Sequence, residues 1–151
     1  MKILLVEDDF NKIFKIEDFL KKEFNKINIT TSNSYNSGLR KILTDKFDLI
    51  LLDMTMPTFD KTNGSSGGKP IQYAGKEILN QMKRKKNNTP VIVITQYSSF
   101  GESNNSKSFN ELKEELKAEF SNILLEMIYY ESSKSDWEVQ VKSTLKNFLN
   151  D

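Results

Sequence analysis

The chain has 151 residues, 37% hydrophobic and 28% charged, so it can bury a core and is not a disordered tail. With 22 basic and 21 acidic residues the net charge is +1, which gives no global attraction to nucleic acid or anionic lipid. Neither cysteine nor histidine occurs, which excludes disulfide and thiolate chemistry, the commonest general base and any phosphohistidine of its own.

The apolar run Ile3–Val6 is too short for a signal peptide or a membrane span, so a cytoplasmic protein without membrane contact is expected. It reads as a buried strand that ends in Glu7, Asp8 and Asp9. Phe10, Ile13, Phe14, Ile16, Phe19, Leu20 and Phe24 then recur at helical spacing. Ile27–Thr31 is a β-branched strand. Ser34 is placed to cap a helix through Leu43, with Leu39, Ile42 and Leu43 inward. Leu49–Leu52 is a second continuous apolar strand, ending at Asp53. Gly75–Lys85 predicts a helix with Ile78, Leu79 and Met82 on one face, and Val91–Ile94 a third all-apolar strand. Asn110 is placed to cap a helix over Glu111–Phe120. Ile123–Tyr130 reads as the fifth strand and Trp137–Leu149 as the last helix, its stripe carrying Trp137, Val141, Leu145 and Phe148.

Strand and helix thus alternate five times. Strands apolar on both faces imply a parallel sheet covered by helices on each side. The expected fold is α/β, a flavodoxin-like (βα)5 three-layer sandwich with sheet order 2-1-3-4-5, as one domain over residues 1–151. Sites in such sheets lie at the carboxyl ends of strands 1 and 3, where Glu7–Asp9 and Asp53 stand. Clustered carboxylates repel unless a cation sits among them, and an oxygen-only donor set selects a hard ion, Mg²⁺ or Mn²⁺. A carboxylate beside such an ion is a candidate phosphoryl acceptor. Taken alone, Glu7–Asp9 would equally serve to cap the helix beginning near Phe10; Asp53 tips the balance toward a cation site.

The segments KILLVEDD, DLILLDMTMP and PVIVIT stand in the order and at the strand ends of the receiver domain of two-component response regulators, which the chain resembles over essentially its whole length. The resemblance implies that Asp53 is the phospho-acceptor. It implies that Asp8 binds the metal directly, Glu7 directly or through water, and Thr55 through its backbone carbonyl. Asp9 matches a position that is often acidic but is not a core ligand. Thr95 matches the hydroxyl residue that bonds a phosphoryl oxygen, and Tyr130 or Tyr129 the switch aromatic. The implied donor is a histidine kinase or phosphotransfer protein, and the output an unknown downstream protein. In this family the face of the last strand and its two flanking helices often forms a homodimer. The resemblance implies no enzyme beyond self-phosphorylation and autodephosphorylation, and no direct nucleic-acid contact. The end at Asp151, just after the last helix, leads us to expect no attached output domain. The alternative is a degenerate receiver that acts as a phosphorylation-independent binding module. An aspartyl phosphatase is disfavoured, because Thr55 stands where its second aspartate would be.

Three departures mark this chain. Receivers place Asp-Gly soon after Met-Pro, whereas 14 residues, Lys61 to Ala74, separate Asp60 from Gly75. Within them TNGSSGGKP fails as a P-loop: three residues separate Gly64 from Gly68, and Pro70 follows Lys69. A flexible surface insertion is expected, beside the acceptor, as a lid or partner-contact loop. Gln96 follows Thr95 where a small residue is usual, which would restrict access to the phosphorylated aspartate; a second long polar loop runs to Ser108. The family's lysine, three residues after its switch aromatic, is also displaced. Lys134 is the nearby candidate, but three residues before it stands Glu131, so either the strand bulges or Ser132 or Ser133 holds the position.

Overall fold

The computed structural model describes residues 1–62, 64–96, 99–100 and 107–150. Its elements in chain order are β1 (Lys2–Val6), α1 (Phe10–Glu23), β2 (Asn28–Ser32), α2 (Tyr35–Thr44), β3 (Leu49–Leu52), β4 (Met56–Pro57), β5 (Pro70–Ile71), α3 (Ala74–Arg84), β6 (Val91–Thr95), β7 (Ser99–Phe100), β8 (Lys107–Ser108), α4 (Phe109–Glu119), β9 (Leu124–Tyr129) and α5 (Asp136–Leu149). Five strands form one parallel sheet in the order β2-β1-β3-β6-β9. With the short two-stranded pairs set aside, this is the expected flavodoxin-like order.

Alternation sorts the apolar strand residues into two cores. Leu4, Val6, Ile50, Leu52, Val91 and Val93 face α2, α3 and α4, through Ile42, Ile78, Leu79, Met82, Leu112 and Leu116. Ile3, Leu5, Leu49, Leu51, Ile92 and Ile94 face α1 and α5, through Ile16, Phe19, Leu20, Trp137, Val141 and Leu145. Both faces of the central strands are therefore dry, which is why their sequences are continuous apolar runs.

Several local expectations are corrected. Phe10 and Phe14 are not core residues but 75% and 69% exposed, and Leu43 is 44% exposed. The buried stripe of α1 is Lys12, Ile13, Ile16, Phe19 and Leu20, rotated from the one read off the phenylalanines. Asn110 is not the cap of α4: Ser108 accepts from the Glu111 N–H at 3.1 Å, and the helix starts at Phe109. The described residues of the 58–74 insertion carry pairing of their own. β4 and β5 pair antiparallel, Thr58 Oγ1 donates to the Lys69 carbonyl at 2.6 Å, and the Phe59 N–H donates to the Gly67 carbonyl at 2.9 Å. Ser37 Oγ to Asp60 Oδ1 at 2.8 Å ties this hairpin to α2. Gly67 takes φ +90° at its tight return, a conformation that favours glycine. In the 96–108 loop, β7 pairs with β8; residues 97, 98 and 101–106 lie outside the described residues, so its expected role is not tested there.

Gly75 locks α3 against the end of β3. Its N–H donates to the Met54 carbonyl at 3.0 Å, and a Cβ there would lie 2.7 Å from the Asp53 carbonyl oxygen and 3.1 Å from the Met54 Cα. Both neighbours are backbone, so neither can swing away. Gly75→Ala is expected to lower stability by about 1–3 kcal/mol, as overpacking does. Urea unfolding of the two proteins checks this; equal midpoints would show that the helix shifts freely.

Candidate functional site

Parallel register delivers the acids. Val6 pairs with Leu52, and the Asp53 N–H donates to the Val6 carbonyl at 3.1 Å, so Glu7 and Asp53 leave the sheet side by side. Glu7 is 2% and Asp53 5% exposed, with Asp8 half-buried beside them. One carboxylate oxygen from each of Glu7, Asp8 and Asp53 lies within 4.8 Å of the others. Asp53 Oδ1 accepts from the Met54 N–H at 2.7 Å. Glu7 Oε2 accepts from the N–H groups of Asp8 and Asp9 at 3.0 and 3.1 Å. Asp9 has turned away to cap α1, accepting from the N–H groups of Asn11 and Lys12.

A lysine closes the cluster. The Lys12 ammonium lies 2.6 Å from Glu7 Oε1, 3.4 Å from Asp53 Oδ2 and 2.7 Å from the Ile94 carbonyl oxygen. Three partners match its three N–H donors. The side chain is 1% exposed, and the ammonium sits 5.3 Å over the Tyr130 ring. Thr95, at the end of β6, is fully buried, and its Oγ1 has no hydrogen-bond partner among the described residues. Above the acids opens a cleft of about 450 Å³, walled by Asp8, Asp9, Thr55, Gln96 and the insertion residues Lys61 and Gly68. Its donor set is carboxylate oxygen without sulfur or imidazole, which fits a hard divalent cation.

Residues 3–108 match the profile of the response regulator receiver domain. The chain belongs to that family. It is 30% identical over 143 residues to the Detocs response regulatory protein DtcB of Enterobacter cloacae, which covers 93% of this chain and 95% of that one. Its fold is similar to that of the phosphorylated cyanobacterial phytochrome response regulator RcpA, with a TM-score of 0.65 and 22% identity over 98% of this chain and 93% of that one. It is likewise similar to the response regulator TrrA of Thermotoga maritima in complex with Mg(2+)-BeF, with a TM-score of 0.59 and 21% identity over 97% and 96% of the two chains. Among the described residues no helix is long and apolar enough to cross a membrane.

Glu7, Asp8, Asp53 and Thr55, predicted as the receiver's metal and acceptor residues, meet at the cleft, and Thr95 ends the neighbouring strand. Gln96 is exposed on the cleft wall. Lys134 is not brought there. It is 60% exposed, its ammonium pairs with Glu131 at 3.5 Å, and it lines a separate small cleft with Tyr129 and Trp137. The register of β9 shifts by one residue near its start, Val91 pairing with Leu124 but Ile92 with Glu126, and a turn in which the Lys134 N–H donates to the Glu131 carbonyl carries the lysine outward. Ser132 and Ser133 are exposed as well. The two candidate switch aromatics face opposite sides. Tyr130 is buried beside Trp137 and Lys12, whereas Tyr129 packs edge-on against Phe109 of α4. Sequence reasoning missed Lys12. The signal was there: Lys12 precedes Ile16, Phe19 and Leu20 by four, seven and eight residues, a stripe position that should be apolar.

One buried cation faces two buried carboxylates, so one negative charge is left over. Burial pushes Glu7 up to about 8, with Asp53 adding to the rise and Lys12 only partly opposing it. Burial alone would lower the Lys12 ammonium, but the charges of Asp53 and then Glu7 outweigh it and hold it above its ordinary value. Folded Glu7 therefore keeps a proton that the unfolded chain releases near its ordinary 4.5. Its stabilising contribution is whole below that value and is lost as pH rises through about 8. Metal-free wild type should thus lose stability relative to Glu7→Gln as pH climbs across that window. Urea unfolding in chelator at several pH values checks it, and parallel curves would refute the shift.

Proposed function

We propose that this receiver accepts a phosphoryl group on Asp53 from a histidine kinase or phosphotransfer protein, and passes the signal to a downstream protein through its surface. The observation that carries the reading is the buried Asp53 carboxylate beside Glu7 and Asp8 under an open cleft, with the Thr95 hydroxyl, unpartnered among the described residues, at the next strand end. In the transfer an Asp53 oxygen attacks the donor phosphorus. The bond from phosphorus to the donor nitrogen or oxygen breaks, and the leaving group keeps the electron pair. A carboxylate nucleophile has no proton for a general base to remove, which suits a chain without histidine. Thr95 Oγ1 donates to a phosphoryl oxygen, satisfying a hydroxyl that has no partner among the described residues. Glu7, Asp8, Asp53 and the Thr55 carbonyl would hold Mg²⁺ or Mn²⁺, which when bound offsets the charge on the phosphoryl oxygens. Any catalysis is limited to self-phosphorylation and autodephosphorylation. The exposed pairing of Lys134 favours the second reading, a phosphorylation-independent binding module.

Incubation with a small acyl phosphate and Mg²⁺ separates the two. Wild type should gain one phosphate in mass and Asp53→Asn none; an equal gain in Asp53→Asn would move the acceptor elsewhere, and no gain in wild type would favour the binding module. A second expectation concerns the metal. Asp8 is the acid of the cluster that neither Lys12 nor a helix cap engages. Asp8→Ala should weaken Mg²⁺ binding about tenfold or more, at least the loss that disturbing a ligand's support brings. Titration followed by Trp137 fluorescence or amide shifts measures it, and unchanged affinity would place the metal at another site.

A further inference from the structure

Taking Asp53 as the acceptor, we propose that Lys12 is the catalytic residue that binds the phosphoryl group, supplying from the first turn of α1 the cation that receivers take from a lysine after their last strand. The ammonium is already at the reacting carboxylate, 3.4 Å from Asp53 Oδ2. Its shorter contacts, to Glu7 Oε1 and the Ile94 carbonyl, fix its position and leave the Asp53 contact as the loosest of the three. Among the described residues it is also the one cation that pairs with Asp53, since Lys134 pairs with Glu131 on the surface.

Phosphorylation strengthens this contact. The Asp53 carboxylate carries one negative charge, whereas its acyl phosphate carries about two at neutral pH. The Lys12 ammonium turns its third N–H from Asp53 Oδ2 to a phosphoryl oxygen and keeps its bonds to Glu7 and the Ile94 carbonyl. No proton leaves it. Two of its neighbours lead toward the last strand and helix. Ile94 precedes Thr95 on β6, and Tyr130 directly follows β9 with its ring under the ammonium and beside Trp137 of α5. The cation therefore joins the phosphoryl group to the last strand and helix without the displaced Lys134.

The test uses the whole chain and two probes, a small acyl phosphate and beryllofluoride with Mg²⁺. Wild type, Lys12→Met, Lys12→Gln and Lys134→Ala are compared for phosphate gained by mass, for its rate, and for beryllofluoride and Mg²⁺ affinities, with thermal melts to select folded variants. The expected result is a loss of about a hundredfold in rate for either Lys12 variant, the scale of removing one preorganised donor. Beryllofluoride binding falls in parallel while Mg²⁺ still binds, a split that general damage to the site would not produce. Lys134→Ala behaves as wild type. In wild type itself the Lys12 side-chain nitrogen resonance shifts when beryllofluoride is added, a measurement that stands if neither Lys12 variant folds. Wild-type rates in Lys12→Met or Lys12→Gln, or an unmoved resonance, overturn the role of Lys12 and leave Asp53 as acceptor. No phosphate gained by wild type overturns both.

Discussion

The ammonium of Lys12 between two buried carboxylates is the contact on which the cleft depends. Glu7 arrives from β1, Asp53 from β3, the carbonyl of Ile94 from β6 and the cation from α1. Two carboxylates at 2% and 5% exposure would be held apart by their own charge without it. A buried ion pair contributes little net stability against an apolar equivalent, yet removing one partner is severe, because the other charge stays buried. Lys12 therefore acts less as an adhesive than as a condition for having acids at the sheet edge at all. Its single charge is also insufficient for both carboxylates, so burial, with Asp53 adding to it, still lifts the Glu7 pKa. A site one positive charge short is predisposed toward a further cation.

The insertion that separates this chain from the ordinary receiver pattern builds a wall of the same cleft. Its strands pair from Met56 to Ile71, and Thr55 Oγ1 donates to the Gln72 carbonyl at 2.8 Å, so the segment starts and ends beside the loop that follows Asp53. Asn36 of α2 adds a backbone bond to the Thr58 carbonyl at 3.0 Å. Lys61 brings a second basic side chain to the rim. The long excursion thus leaves the strand 3 to helix 3 geometry intact, because Gly75 still packs on the Asp53 carbonyl as closely as a glycine allows.

The frame was legible because its signals are local and redundant. Ile3–Val6, Leu49–Leu52 and Val91–Ile94 are apolar on both faces, and between helical segments such runs point to a covered parallel sheet. Glu7, Asp8 and Asp53 were legible because charge at the end of such a run asks for a partner. Lys12 was not, since a lysine in a helix is ordinarily solvated and Phe10 and Phe14 drew the predicted stripe toward themselves. Those rings stand in solvent, and the true stripe begins with the lysine. The turn that carries Lys134 outward was equally hidden. A one-residue register shift between β6 and β9 is a matter of pairing between two strands, which the residues of β9 do not spell out by themselves.

The choice of glutamate at the first acid position follows from the lysine. Glu7 carries one more methylene than aspartate, and its two oxygens are divided: Oε2 reaches back to the N–H groups of Asp8 and Asp9, while Oε1 reaches across to Lys12. The backbone bonds hold the carboxyl group still, so the ammonium meets a fixed acceptor. On the other side Asp9 caps the helix that carries Lys12, accepting from that residue's own N–H at 3.2 Å. Three consecutive acids thus divide three tasks, Glu7 to anchor the cation, Asp8 to remain open to the cleft and Asp9 to fix the helix. A cation set on a capped helix is held more rigidly than one on a loop.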